Sequence, residues 1–210
     1  LADHVNLNMA LNAQIVLNQL LTTQPFPSAR ERAETVTRVR RWVPELQSLG
    51  VFSGDARISA DTLIEANDDA FITVLVSRLD GDSHYYTNST AADLVYLLIR
   101  QPGENTNGYW LLRMSPIVIS RLIHQVERGQ NPGWVLENHV DKHVINRTDP
   151  APISASELST TELNQSVLVT QLSHSDWQLR SLFDARQPRL APLPPPAGNC
   201  RLGLPLSPLQ

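Results

Sequence analysis

Apolar residues recur at helical spacing from Ala2 to about Thr22: Val5, Met9, Val16 and Leu20, with Leu7, Leu11 and Ile15 widening the stripe. That period predicts a long first helix, with an opposite face unusually rich in Asn and Gln. The run "QPFPS" ends it, because closely spaced prolines cannot sit inside a helix. Ser28 is then placed to cap a second helix, and Glu31, three residues on, completes a capping box. Val36, Val39, Val43 and Leu46 give that helix an apolar side, and Pro44 should kink or end it.

From Leu49 the rhythm changes. "LGVFSGDARISA" predicts a strand, a Gly-Asp turn and a return strand. "AFITVLVSRLDGDSHYYTN" has the pattern of a hairpin: a β-branched apolar run, a turn at Asp80-Gly81, and a Tyr-containing run. "STAADLVYLLIRQPG" starts with Thr90 and Asp93 in capping-box spacing and stops at Pro102-Gly103, which predicts a short helix. "NGYWLLRMSP" follows as a strand. In "SPIVISRLIHQVERGQ", Ser115 can cap, Pro116 fits the first helical position, and Gly129 can terminate. Ile119, Leu122, Ile123 and Val126 form its apolar face, while Arg121, Gln125 and Arg128 point away. "GWVLENHVDKHVIN" and "SVLVTQLSHSDWQLRSLFDA" both predict strand pairs. The end of the chain, rich in proline and without a period, is expected to be an extended or disordered tail. The expected organisation is therefore N-terminal helices over 1–48, a mixed domain over 49–187, and the tail over 188–210.

Composition narrows the functional classes. The chain has 210 residues, 41% apolar and 18% charged, enough for a packed core. With 17 basic and 21 acidic residues, net charge −4 and no basic block, nothing favours nucleic acid or an anionic membrane surface. Even "SARERAETVTRVRR" interleaves its arginines with Glu31 and Glu34, as a solvated helix face does. A single cysteine, Cys200, rules out an internal disulfide. No run of about 18 apolar residues exists to span a bilayer, and no signal peptide is visible. The chain starts at Leu1, inside what reads as a helix already under way. It is therefore read as an excised piece of a longer protein, which could be a membrane protein whose spanning helices were cut away.

Chemistry is sparse. Glu137, His139, Asp141 and His143 occupy every second position of one stretch. On an unbroken strand, same-face neighbours lie about 7 Å apart and the whole row covers about 20 Å, too long for one ion. No HExxH or cysteine-pair motif supplies a further ligand. A hairpin with a polar turn, in which Asn138 and Asp141 tolerate turn conformations, explains the row better. "SHSDW" contains Ser, His and Asp, but triad members converge in space rather than along a strand, and no nucleophile elbow is present. P-loop and dinucleotide fingerprints are absent. The sequence implies no catalytic residues, no metal site and no cofactor.

What remains is a ligand pocket. "HYYTN" and "YWLLRMSP" place aromatic residues beside polar groups on expected strands, the usual make-up of small-ligand sites. Arg113 precedes the helix start at Ser115-Pro116, where free N–H groups could help hold an anion. The alternative is that Trp110 and Tyr86 are core residues and Arg113 a surface ion-pair partner.

Taken in order, a long N-terminal helix pair, strand hairpins, a helix, the strand–Ser-Pro–helix passage and two final strand pairs resemble a known class. These are the extracytoplasmic PAS-like sensor domains of bacteria, of the Cache or PDC type, found in histidine kinases, diguanylate cyclases and chemoreceptors. The resemblance spans roughly Leu46 to Arg186. It implies an α+β fold: an antiparallel PAS-like sheet flanked by helices, with the long first helix rising from the membrane and often packing in a homodimer. It implies a non-enzymatic, periplasmic sensor that transmits ligand or partner binding through that helix, attached to the membrane only by flanking segments absent from this chain. The ligand region carried over comprises Tyr86, Tyr109, Trp110, Arg113 and Ser115. The aromatic-arginine signature of amino-acid-binding Cache domains is not recognisable, and the proline-rich tail departs from the expected run into a membrane helix. The rival reading is a protein-interaction or structural domain of an envelope or secretion assembly, docking through the Asn/Gln-rich helix.

Overall fold

A computed structural model describes residues 1–21, 28–53, 56–59, 68–89, 93–102, 108–125, 133–147 and 166–182. The helices are α1 (Ala2–Leu20), α2 (Ala29–Arg40), α3 (Asp68–Leu79) and α4 (Ile117–His124). The strands are β1 (Leu46–Ser53), β2 (Ala56–Ser59), β3 (His84–Ser89), β4 (Leu94–Arg100), β5 (Gly108–Met114), β6 (Trp134–Asn138), β7 (Val144–Arg147), β8 (Ser166–Gln171) and β9 (Trp177–Leu182). They form two antiparallel sheets, a five-stranded one in the order β2-β1-β5-β4-β3 and a four-stranded one in the order β7-β6-β9-β8. The α+β class with an antiparallel PAS-like sheet, flanking helices and a long first helix is the one the sequence implied. The strand pairs after α4 build a sheet of their own instead of extending the first.

Both N-terminal helices form, α1 along its expected stripe and α2 behind its capping box, but Val43 and Leu46, expected on the apolar side of α2, lie beyond its end, and Leu46 opens β1. Val5, Met9, Ala13, Val16 and Leu20 of α1 are buried, whereas Leu7, Leu11 and Ile15 are 55%, 50% and 40% exposed. The apolar stripe is thus narrower than its sequence suggested, and three of its seven residues face solvent. The Ser28 hydroxyl accepts from the Glu31 N–H at 3.4 Å, and the Glu31 carboxylate accepts from the Ser28 N–H at 2.8 Å. Helix α2 ends at Arg40, before Pro44.

Two expected elements exchange their types. The segment expected as the first arm of a hairpin is α3, and Asp80-Gly81, expected as a hairpin turn, terminates that helix. Asp80 and Gly81 have φ of 38° and 90°, and the Asp82 N–H returns to the Leu79 carbonyl at 2.7 Å. Leu75 and Leu79 on one side of α3 pack on the sheet, a spacing that a β-branched run had masked. Conversely, "LVYLLIR", expected as a helix, is the strand β4. It lies between β3 and β5 and is buried on both faces, so its sequence is a continuous apolar run with no alternation to reveal it.

The five-stranded sheet has two covered faces. Val95, Leu97 and Ile99 of β4 and Trp110, Leu112 and Met114 of β5 join α1, α2, α4 and the inner side of the second sheet in one large core. The intervening residues Tyr96, Leu98 and Leu111 form a smaller core with α3. Helix α4 buries Val118, Ile119, Leu122 and Ile123, while Arg121 clasps Glu45 with bonds of 2.8 and 3.2 Å. Residues 126–132, including Gly129, and the tail over 188–210 lie outside the described residues.

The polar row resolves as a hairpin. β6 and β7 pair antiparallel, and the turn is built by its own side chains. Asn138 Oδ1 accepts from the Val140 N–H and Asp141 Oδ1 from the His143 N–H, both at 2.9 Å, with Lys142 at a φ of 61°. Glu137 is buried and accepts from Gln178 Nε2 at 2.5 Å and Arg180 Nη2 at 2.6 Å.

Candidate functional site

Strand alternation decides which of the candidate residues can meet. Adjacent residues of a strand point to opposite faces. Trp110 enters the large core with Tyr86, while Tyr109 and Arg113 lie on the face covered by α3. Ser115 follows the end of β5; its N–H bonds the Glu45 carbonyl at 3.0 Å, and its hydroxyl accepts from the Ile117 N–H at 3.5 Å. The five residues therefore divide between two faces and a connector. Helix α4 packs into the large core, so its start and the Arg113 side chain belong to opposite sides of the sheet.

Tyr86 is fully buried against Trp177, with ring centroids 5.6 Å apart. Its hydroxyl donates to the Met9 carbonyl at 3.0 Å and accepts from Asn12 Nδ2 at 3.3 Å, which ties the middle of β3 to α1. Burial pushes its ionisation well above that of a free phenol.

On the α3 side, two arginines lie over tyrosine rings of the neighbouring strand. Arg100 lies 5.8 Å from the centroid of Tyr109, and Arg113 lies 5.8 Å from that of Tyr96. Both are directly opposed cross-strand pairs, separated by the Leu98–Leu111 pair that α3 covers. Tyr109 and Arg113 are half-buried, so they combine aromatic surface with a cation at the border of the α3 core.

The polar centre of this face is Asp176, in the connection between β8 and β9. Its buried carboxylate accepts from Tyr85 Oη at 2.7 Å, from Thr87 Oγ1 at 2.6 Å and from the Arg78 guanidinium of α3. Its backbone is equally committed. The Asp176 N–H donates to the Tyr86 carbonyl at 3.1 Å, the Tyr86 N–H donates to His174 O at 2.8 Å, and the His139 N–H donates to Asp176 O at 2.9 Å. One turn of the second sheet is thereby stitched to the edge of the first. Tyr85 is held in its neutral form chiefly by burial and secondly by its bond to Asp176.

In the sequence Asp176 stands out only as a member of "SHSDW". The other members are separately employed: Ser175 Oγ donates to the Leu172 carbonyl at 2.8 Å, and His174 Nδ1 lies 3.0 Å from Asp82. Among the described residues no group of three or more His, Cys, Asp or Glu side chains is placed to hold a metal ion. No helix among them is long and apolar enough to cross a membrane.

No protein-family model matches the sequence, and no curated protein matches it. Among solved structures, the chain is similar to the ligand-binding domain of a Campylobacter jejuni chemoreceptor in complex with L-valine. Sequence identity is 8% and the TM-score 0.46, covering 88% of this chain and 91% of that one. At that identity the likeness assigns no residue and no ligand.

Proposed function

We propose that this chain is the extracytoplasmic sensor domain of a bacterial transmembrane signalling protein, itself without catalytic activity. It binds a small molecule on the α3-facing side of the five-stranded sheet. The observation that carries this reading is the division of labour along β3. Tyr85 and Thr87 reach Asp176 on the α3 side, while Tyr86 between them reaches α1 on the other. A ligand that altered the α3 side would act on the strand that holds the long helix, biasing two arrangements of α1. The residues proposed to meet it are Tyr109 and Arg113, from the sequence-derived set, with Tyr96 beside them. Tyr86 and Trp110 serve as the packing that relays binding, and Ser115 as a connector.

The test is a thermal-shift panel of amino acids, short carboxylic acids and nucleobases on the wild type and on Arg113→Ala. A ligand that raises the wild-type melting temperature and loses that effect in Arg113→Ala supports the reading. An equal shift in both removes Arg113 from the site. No shift with any compound favours a protein-interaction domain instead. The exposed row Leu7, Leu11 and Ile15 on α1 is the observation that supports this second reading.

A further inference from the structure

A cavity opens between α1 and the start of β3, on the face of the sheet opposite Arg113. Its volume is about 130 Å³, roughly the share of liquid volume taken by four waters. Drug-sized sites occupy about 300–1,000 Å³, so this one suits only a ligand of a few heavy atoms. Gln14 and Ser83 stand at its exposed rim, and Ala13, His84 and Ile99 are its buried floor. Ala10 and Leu17, both half-buried on α1, complete the apolar wall.

The polar groups of this cavity are neutral. Among the described residues that line it, only His84 can carry a charge. Burial first, and the neighbouring His174 second, pull its pKa below the ordinary 6.5 against the opposing pull of Asp82, so the ring is uncharged at neutral pH. An anion placed here would meet no cation and a cation no carboxylate, each shedding water without a partner. The His84 ring is only 8% exposed, and its Nδ1 lies 3.0 Å from Ser83 Oγ, which leaves Nε2 for a ligand. If Ser83 donates to Nδ1, Nε2 carries the proton and donates; if Nδ1 donates to Ser83, Nε2 accepts. Gln14 Nε2 donates to Asn18 Oδ1 at 3.0 Å, leaving the Gln14 carbonyl oxygen as a further acceptor at the rim. A hydroxyl, donor and acceptor on one atom, fits either tautomer of the ring without bringing a charge.

We infer that this cavity is a binding site for a short-chain aliphatic alcohol of the size of ethanol or propanol. The hydroxyl bonds His84 Nε2, and the alkyl chain lies against Ala10, Ala13, Leu17 and Ile99. One wall is α1 itself, so occupancy acts directly on the packing of that helix, independently of the site on the α3 side. So small a ligand binds weakly. At the ceiling of affinity per atom, the three heavy atoms of ethanol reach a dissociation constant of about 0.5 mM at best.

The experiment is an NMR titration of isotope-labelled protein, read at the backbone amides, with ethanol and propanol. Acetate and ethylammonium serve as charged analogues of the same size, and benzyl alcohol as an oversized one. The expected result is saturable shifts with ethanol and propanol at Ala13, Gln14, His84 and Ile99, and no saturable shift there with the other three. Ala13→Leu, which fills the floor, should abolish saturation. His84→Leu should weaken binding by about tenfold, the usual worth of one hydrogen bond in a buried site. Should Ala13→Leu lose its cooperative melt, Ala10→Leu fills the cavity from a half-buried position of α1 and should abolish saturation instead. The proposal is overturned by shifts that stay linear in alcohol concentration, by acetate or ethylammonium saturating the same amides as tightly, or by alcohol binding that survives the folded α1 variant. Arg113→Ala, on the other face of the sheet, should leave alcohol binding intact, so this outcome and that of the metabolite panel are separable.

Discussion

The buried carboxylate of Asp176 shows how much a single side chain can organise. Three donors from two elements converge on it, and its own peptide groups continue the network into β3 and the β6–β7 turn. Asp176→Ala would leave the hydroxyls of Tyr85 and Thr87 without their acceptor in a water-poor site. The Arg78 side chain is 43% exposed, so its charge would be solvated, and the loss comes mainly from the two hydroxyls. A loss of about 2–3 kcal/mol is expected in urea unfolding, with an unchanged denaturant slope. A loss below about 0.5 kcal/mol, the usual range of surface substitutions, would show that water replaces the carboxylate without cost. Sequence reading could not have found this residue, because its partners lie at positions 78, 85 and 87 and only the tertiary fold brings them together. The split of the ligand candidates, by contrast, was within reach. Tyr109 and Trp110 are neighbours in one strand, and neighbours in a strand cannot line the same face.

At the scale of elements, the segments that were legible are those in which local signals agree. The stripe of α1, the capping box of α2, the β1–β2 return and the final strand pairs all follow from pattern alone. The exchange at α3 and β4 has a physical cause. Intrinsic preferences for helix or strand are weak compared with burial, and a run buried on both faces shows neither period. Asp80-Gly81 then misled because the same left-handed residues end helices and make hairpin turns. Gly81 has φ at 90°, and no atom lies within 4 Å of the place a Cβ would take, so the backbone requirement there is isolated from any clash. Gly81→Ala should cost about 1 kcal/mol through the strained conformation alone, read as a lowered melting temperature. An unchanged melt would mean that the helix end relaxes to another closure.

For the whole molecule, acid should weaken the fold through His84. Its pKa in the folded chain lies below the ordinary value of 6.5, first because burial penalises the cation and second because His174 is close; Asp82 offsets part of this. The unfolded chain therefore binds the proton more readily. Stability contributed by this group is complete above about pH 6.5 and declines as pH falls from there to the folded pKa. Denaturation profiles at pH 7.5 and 5.5 should diverge in the wild type and diverge less in His84→Gln. Equal pH dependence in both proteins would place the sensitivity elsewhere.

The stitch between the two sheets also bears on self-assembly. An uncovered strand edge is a template for pairing with another chain. At β3, the edge of the five-stranded sheet, the peptide of Tyr86 is already engaged by His174 and Asp176, so the middle of that edge is closed to a newcomer. The opposite edge, β2, and the outer strand β7 have four residues each, too short to recruit a long partner. Among the described residues that leaves β8, where Leu168 and Val169 are 60% and 43% exposed, as the flank through which copies of this domain would stack if they aggregate.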